Sequence, residues 1–219
     1  MPGNKLNKKA SCALLVSLLA AGHCMAADSI ETLVNATVEP LMRQQQIPGL
    51  VIAITVKGQP RFFSYGVASK EAGTPVTQDT LFEIGSLSKT FTATLAAYAQ
   101  ATGKLSLPEK AGEILPTLRG SAFDGISVLQ LGTYSAGGLP LQFPSEADAP
   151  DKMLGYFKNW QAVYPAGTHR QYSNPSLGLF GYLAAQRMGA PFDEVMMNTV
   201  LPKLGLKHTW LTVPSDQMG

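Results

Sequence analysis

Near Leu81 the hydrophobic period of the chain passes from that of strands to that of helices, and that change limits the possible folds more than any other feature. Before it, Leu50 to Val56 (LVIAITV) is a β-branched, nearly all-apolar run, and Arg61 to Val67 (RFFSYGV) is rich in aromatic residues. Lys57-Gly58-Gln59-Pro60 between them is turn chemistry, so the segment reads as a β-hairpin. A hairpin alone is marginal in water and needs a cover. The preceding stretch, Asp28 to Gln46, offers one. Ile30, Leu33, Val34, Val38, Leu41 and Met42 recur at the i, i+3, i+4 spacing of an amphipathic helix, which Ile47-Pro48-Gly49 breaks off.

Beyond Leu81 the pattern is helical. Ser86 to Thr102 (SLSKTFTATLAAYAQAT) is Ala-rich and almost uncharged, which predicts a helix buried nearly all round and closed by Gly103. Further helices are expected at Ser127 to Ser135, Lys152 to Trp160, Pro175 to Met188 and Phe192 to Leu201. Asn174-Pro175 reads as an N-cap and first-turn pair, and Gly189 and Gly205 read as stops. There is no internal repeat and no low-complexity segment. The expected fold class is α+β, with a helix packed on an antiparallel sheet over residues 27–80 and a mostly helical part over residues 81–219.

Composition narrows the function. With 219 residues, 45% hydrophobic and 15% charged, the chain can bury a core without staples, which excludes a disordered tail, a collagen-like fibre and a disulfide miniprotein. A formal net charge of +2 with no basic run gives no footprint for nucleic acid. Lys5, Lys8 and Lys9, the apolar Cys12 to Ala21, and Cys24-Met25-Ala26 follow the order of a secretory signal peptide, so residues 1–26 are expected to be removed. No apolar stretch approaches the ~20 residues that span a bilayer. Both cysteines leave with the signal, and residues 27–219 are expected in a bacterial periplasm, off the membrane and without disulfides. His169 and His208 are the imidazoles left after cleavage and have no acidic pairing, so neither a metal site nor any other cofactor is expected.

Ser86-Leu87-Ser88-Lys89 is a Ser-x-x-Lys motif at the expected start of the Ala-rich helix, after Gly85. Positions i and i+3 share a helix face, so the Ser86 hydroxyl and Lys89 ammonium should lie within hydrogen-bonding distance. A helix N-terminus offers unpaired N–H groups to an oxyanion, and its dipole together with burial disfavours a charged lysine, moving Lys89 toward a usable base. Alone the motif is weak, since roughly one arises by chance in a chain of this length. It also has a bland reading, a capping serine with a solvated lysine one turn on. Tyr172-Ser173-Asn174 is the second element. A tyrosine there could shuttle a proton, and an asparagine amide could hold Lys89 and bind a substrate carbonyl. An ordinary cap beside a packed ring accounts for the same residues.

Taken together, Phe82-Glu83-Ile84-Gly85-Ser86-Leu87-Ser88-Lys89-Thr90-Phe91, Tyr172-Ser173-Asn174-Pro175 and the intervening Thr133-Tyr134-Ser135-Ala136-Gly137-Gly138-Leu139-Pro140-Leu141-Gln142 resemble the class C serine β-lactamases, the periplasmic cephalosporinases. The likeness runs from about Thr32 to the last residue and is nearest to the enzymes of pseudomonads. It implies a serine β-lactamase/penicillin-binding fold that hydrolyses cephalosporins and penicillins through an acyl-enzyme and so confers antibiotic resistance, with a small β-lactam as its partner and a monomeric state. Matched position by position, it makes Ser86 the nucleophile and Lys89 its activating partner. Tyr172 becomes the acid/base that protonates the leaving nitrogen and later activates water, and Asn174 and Gln142 become the two substrate-amide contacts. The class A pattern has a serine where Tyr172 stands and uses a glutamate acting through water, which separates the two classes.

The sequence departs from the family at one point. A Lys-Thr-Gly on a strand of the opposite wall belongs to the pattern and is not in this chain. The expectation from that departure is an N-terminal portion of the enzyme, lacking the C-terminal strands, poorly folded alone and without measurable turnover. Two other functional readings share the motifs. A D,D-peptidase or serine esterase of the same fold would use Ser86, Lys89 and Tyr172, with Gln142 and its Leu-Pro-Leu context weighing against it. A non-catalytic periplasmic remnant would keep the motifs without turnover. A Ser-His-Asp triad has no support, because no Gly-x-Ser-x-Gly elbow is present.

Overall fold

In a computed structural model, residues 30–218 are described, and the chain divides into two units at Glu83/Ile84. The signal-peptide segment, residues 1–26, lies outside the described residues.

The first unit contains helix α1 (30–45) and an antiparallel pair, β1 (Gly49–Val56) and β2 (Gln59–Gly66). The connection is shorter than the sequence suggests. Lys57 and Gly58, at φ 50° and 79°, make a two-residue turn of the kind whose twist matches the strands, and Gln59 and Pro60 belong to β2. Val56 pairs with Gln59 and Thr55 with Pro60. Ladder alternation makes the latter pair the one that exchanges no hydrogen bonds, so proline's missing N–H costs nothing there. Leu50, Ile52 and Ile54 share a face with Tyr65, Phe63 and Arg61. Phe62 is on the opposite face and is 52% exposed. Val34 and Val38 of α1 are buried, and the Tyr65 hydroxyl donates to Asn35 Oδ1 at 2.6 Å, tying helix to hairpin.

The second unit is helical, with α2 (Ser88–Ala101), α3 (Ala111–Ile114), α4 (Val128–Gly132), α5 (Pro150–Asn159), α6 (Asn174–Met188), α7 (Phe192–Val195) and α8 (Leu201–Lys203). Its core gathers Leu95 and Ala99 of α2, Phe180, Leu183 and Ala184 of α6, and Leu118, Phe123 and Leu131 between them. Trp160 closes this core against Phe123, whereas Trp210 is half-buried beside His208.

Three sequence expectations are corrected here. The helix buried nearly all round is α6, where Leu177, Leu179, Phe180, Gly181, Leu183, Ala184 and Ala185 are all buried. In α2 only Leu95, Ala96 and Ala99 are. Ala-richness gives a helix but does not say how many sides are covered; Gly181 does, because a Cβ there would meet Thr92 of α2 at 2.6 Å and Phe192 of α7 at 2.9 Å. The cap of α6 is Ser173, whose hydroxyl accepts the Ser176 N–H at 3.1 Å, so Asn174 is the first helical residue and its amide is released from capping. Finally, the Phe192 helix passes through a π-helical stretch, Met196–Val200, before α8. Gly103 and Gly189, at φ 72° and 83°, end α2 and α6 as expected. Among the described residues no helix is long and apolar enough to cross a membrane.

Candidate active site

All five residues singled out from the sequence lie in the second unit. Ser86 is not on α2 itself but on a 3₁₀ turn, Gly85–Leu87, that leads into it. The turn is entered through Ile84, at φ −86° and ψ 0°, and Gly85, at φ +52°. A side chain at Gly85 would meet nothing within 4 Å, so glycine is needed there for its backbone angle and not for space. Lys89, half-buried in the first turn of α2, donates from Nζ to Ser86 Oγ at 3.0 Å. The i, i+3 geometry read from the sequence is therefore formed.

Tyr172 comes from 86 positions along the chain, and its hydroxyl bonds to the same Ser86 Oγ at 2.9 Å. Its ring centre is 5.1 Å from Lys89 Nζ. The side chain is 40% exposed, so these contacts are open to an incoming molecule. Its hydroxyl pKa is lowered from the ordinary 10.0, first by its polar contact with the Lys89 ammonium and then by the hydrogen bond with Ser86, against a smaller opposing effect of desolvation.

Two hydrogen bonds, one from the backbone and one from a side chain, hold the segments that carry Tyr172, Asn174 and Gln142. Asn174 N–H donates to Leu141 O at 3.0 Å and Gln171 Nε2 to Leu139 O at 3.1 Å, so the Leu139–Gln142 strip is fastened to the entry of α6. Gln142 follows Leu141 directly; its side chain is exposed and makes no hydrogen bond among the described residues. Asn174 does not hold Lys89 as the sequence suggested. Its Oδ1 is buried and has no partner, an acceptor left to be satisfied by something that binds.

Sequence reasoning assigned no role to Tyr134, which the structure places against Tyr172. The two rings lie 5.1 Å apart at 43°, and the Tyr134 carbonyl accepts the Gln171 N–H at 2.9 Å. Tyr134 has φ +60°, uncommon for a residue with a bulky side chain. Burial and then the neighbouring Tyr172 raise its pKa above 10.0, partly offset by Lys89 and by Arg170, whose guanidinium stands 5.2 Å from the ring. The available signal was its place five residues ahead of Leu139 in a segment whose paired glycines force an irregular path. Ser88 was likewise given no role, yet its hydroxyl donates to Gly85 O at 2.6 Å.

The arrangement can do one kind of chemistry well. A hydroxyl with two polar neighbours, one a lysine amine and one a phenol of lowered pKa, is set up for proton transfer and nucleophilic attack. The Ser86 N–H has no acceptor among the described residues and is available to an oxyanion. No group of three or more His, Cys, Asp and Glu among the described residues is placed to hold a metal ion.

A family model described as "Beta-lactamase" matches residues 34–219. A β-lactamase of Pseudomonas fluorescens is 58% identical over 192 residues, 88% of this chain and 54% of that protein. One from Escherichia coli K12 is 42% identical over 207 residues, 94% of this chain and 55% of its own length. A solved class C β-lactamase in complex with cefoxitin superimposes with a TM-score of 0.84 at 46% identity, covering 87% of this chain and 54% of that one. A solved "Beta-Lactamase/D-Alanine Carboxypeptidase" of Pseudomonas syringae gives 0.83 at 48%, covering 86% and 53%. The chain thus spans about half the length of the curated relatives it matches.

Proposed function

The chain belongs to the β-lactamase family, with the class C fold, and on that premise we propose that the protein is a serine hydrolase that opens the β-lactam amide of cephalosporins and penicillins through an acyl-enzyme on Ser86. The observation that carries the reading is the convergence of Lys89 Nζ and Tyr172 OH on Ser86 Oγ, at 3.0 and 2.9 Å.

The proton leaving Ser86 goes to the Tyr172 oxygen as phenolate, the form that the neighbouring Lys89 favours. Ser86 Oγ then forms a bond to the lactam carbonyl carbon, and the oxyanion is met by the Ser86 N–H. The carbon–nitrogen bond breaks as Tyr172 returns its proton to the ring nitrogen. In the second half Tyr172 takes a proton from water, hydroxide adds to the ester carbonyl, and Ser86 leaves with the proton. Positioned proton transfer of this kind contributes typically 10²–10⁴-fold. Asn174, with its unpartnered Oδ1, and the free side chain of Gln142 flank the same strip and would bind the amide that substrates carry beside the ring.

A second reading is a D,D-peptidase, favoured by the paired activities in the name of the Pseudomonas syringae relative. The two differ in the fate of the ester: a lactamase releases it, while a peptidase keeps it. The protein is proposed to act as a periplasmic monomer after loss of residues 1–26, with 27–219 lying in a β-lactamase domain of helix-and-hairpin and helical parts, and to confer antibiotic resistance. In the protein at the full length of its relatives, hydrolysis of a chromogenic cephalosporin, abolished in Ser86→Ala, is the expected result. A stable adduct with no product supports the peptidase, and no adduct on Ser86 overturns both.

A further inference from the structure

We propose that Ser88 is a positioning residue, whose hydroxyl holds the Gly85–Ser86 peptide so that the Ser86 N–H stays aimed at the oxyanion. The proposal rests on the reading of Ser86 as the nucleophile. Ser88 Oγ donates to the Gly85 carbonyl at 2.6 Å, on the short side for an O–H···O bond, and the Ser88 N–H donates to the same oxygen. Both lone pairs of that carbonyl are thus engaged. In a trans peptide the N–H points opposite to the C=O, so anchoring Gly85 O on one side fixes the direction of the Ser86 N–H on the other.

The anchor is needed because the rest of this peptide is loose. On its N-terminal side stands a glycine at φ +52°, the residue whose backbone resists rotation least. On its N–H side there is no acceptor among the described residues. If the peptide turned over, the Gly85 carbonyl would face the forming oxyanion and repel it. Thr90 uses the same device two residues further on, its hydroxyl donating to Leu87 O at 2.7 Å, but the peptide it holds does not carry the nucleophile's N–H. Ser88 is exposed, adds nothing to the core and makes no hydrogen bond to Lys89 or Tyr172, so packing gives no other reason for a hydroxyl there.

The test compares wild type with Ser88→Ala and Ser88→Thr by ¹⁵N relaxation at the Ser86 amide and by the rate of acylation with a fluorescent penicillin across pH. In wild type the Ser86 amide should be as ordered as the body of α2, with an order parameter near ~0.85, and in Ser88→Ala it should fall toward the flexible range below ~0.6. Acylation should slow by roughly tenfold or more, below the ~10²–10³ lost with a whole oxyanion donor, with the pH limb unmoved because Lys89 and Tyr172 are untouched. Ser88→Thr, which keeps the hydroxyl, should restore both readouts. An unchanged Ser86 amide in Ser88→Ala, loss of order spread along α2, or no rescue by threonine overturns the proposal. If wild type is not acylated at Ser86 the hydrolase reading fails, while the relaxation data still decide whether Ser88 holds that peptide.

Discussion

The ammonium of Lys89 stands 5.1 Å from the ring centre of Tyr172 while both side chains bond to Ser86 Oγ. The three groups form a closed triangle, so the charge on Lys89 acts on Tyr172 as well as on the serine. It is the first cause of the lowered phenol pKa. Lys89 therefore contributes by keeping Tyr172 able to accept a proton.

That relationship sets a pH dependence. A phenol whose pKa is lowered from 10.0 becomes phenolate at lower pH than a free tyrosine, so acylation should rise with pH along a limb lying below 10.0. In Lys89→Gln the limb should move up toward the ordinary tyrosine value, and at neutral pH the rate should fall by at least about 10² if proton transfer is limiting. A pH–rate profile of acylation for the two proteins checks both the direction and the size.

Tyr134 should matter as a ring and not as a hydroxyl. Tyr134→Phe keeps the 5.1 Å contact with Tyr172 and should leave the acylation rate within a few-fold, whereas Tyr134→Ala frees the Tyr172 ring. Because a small misplacement at a reacting centre can cost about 10²-fold, a drop of roughly 10–10² is expected for the alanine variant. Spectroscopic titration of the tyrosines should also lose its lowest step in Tyr172→Phe, and in Tyr134→Phe one of the late steps that burial raises, the others belonging to Tyr65 and Tyr156.

At Gly181, α6 lies close against Thr92 of α2 and Phe192 of α7. A methyl there meets Thr92 Cγ2 at 2.6 Å, so Gly181→Ala should destabilise by about 1–3 kcal/mol through overpacking. Urea unfolding should show a lowered midpoint with an unchanged slope.

Much of this was legible in the sequence because it rests on local rules. The hairpin, the helix stops at Gly103 and Gly189, and the i, i+3 pairing of Ser86 with Lys89 follow from period and spacing alone. What escaped depends on partners distant in the chain. Ser173 rather than Asn174 caps α6, and the Asn174 N–H bonds to Leu141 O, a contact no spacing reveals. The burial of α6, and not α2, on nearly every side depends on which neighbours Gly181 admits. Tyr134 reaches Tyr172 only through a backbone turn at φ +60°, an angle nothing in its side chain advertises.

The most direct test of the account is the site of covalent attachment. The protein, taken at the full length of its relatives, is incubated with a slowly hydrolysed β-lactam, digested and mapped by mass spectrometry, alongside Ser86→Ala, Lys89→Gln and Tyr172→Phe. The account expects one adduct of the mass of the intact β-lactam on the peptide containing Ser86, absent in Ser86→Ala and formed at least about 10²-fold more slowly in the other two. An adduct on another residue, labelling that survives Ser86→Ala, or acylation at wild-type rates without Lys89 and Tyr172 would contradict it.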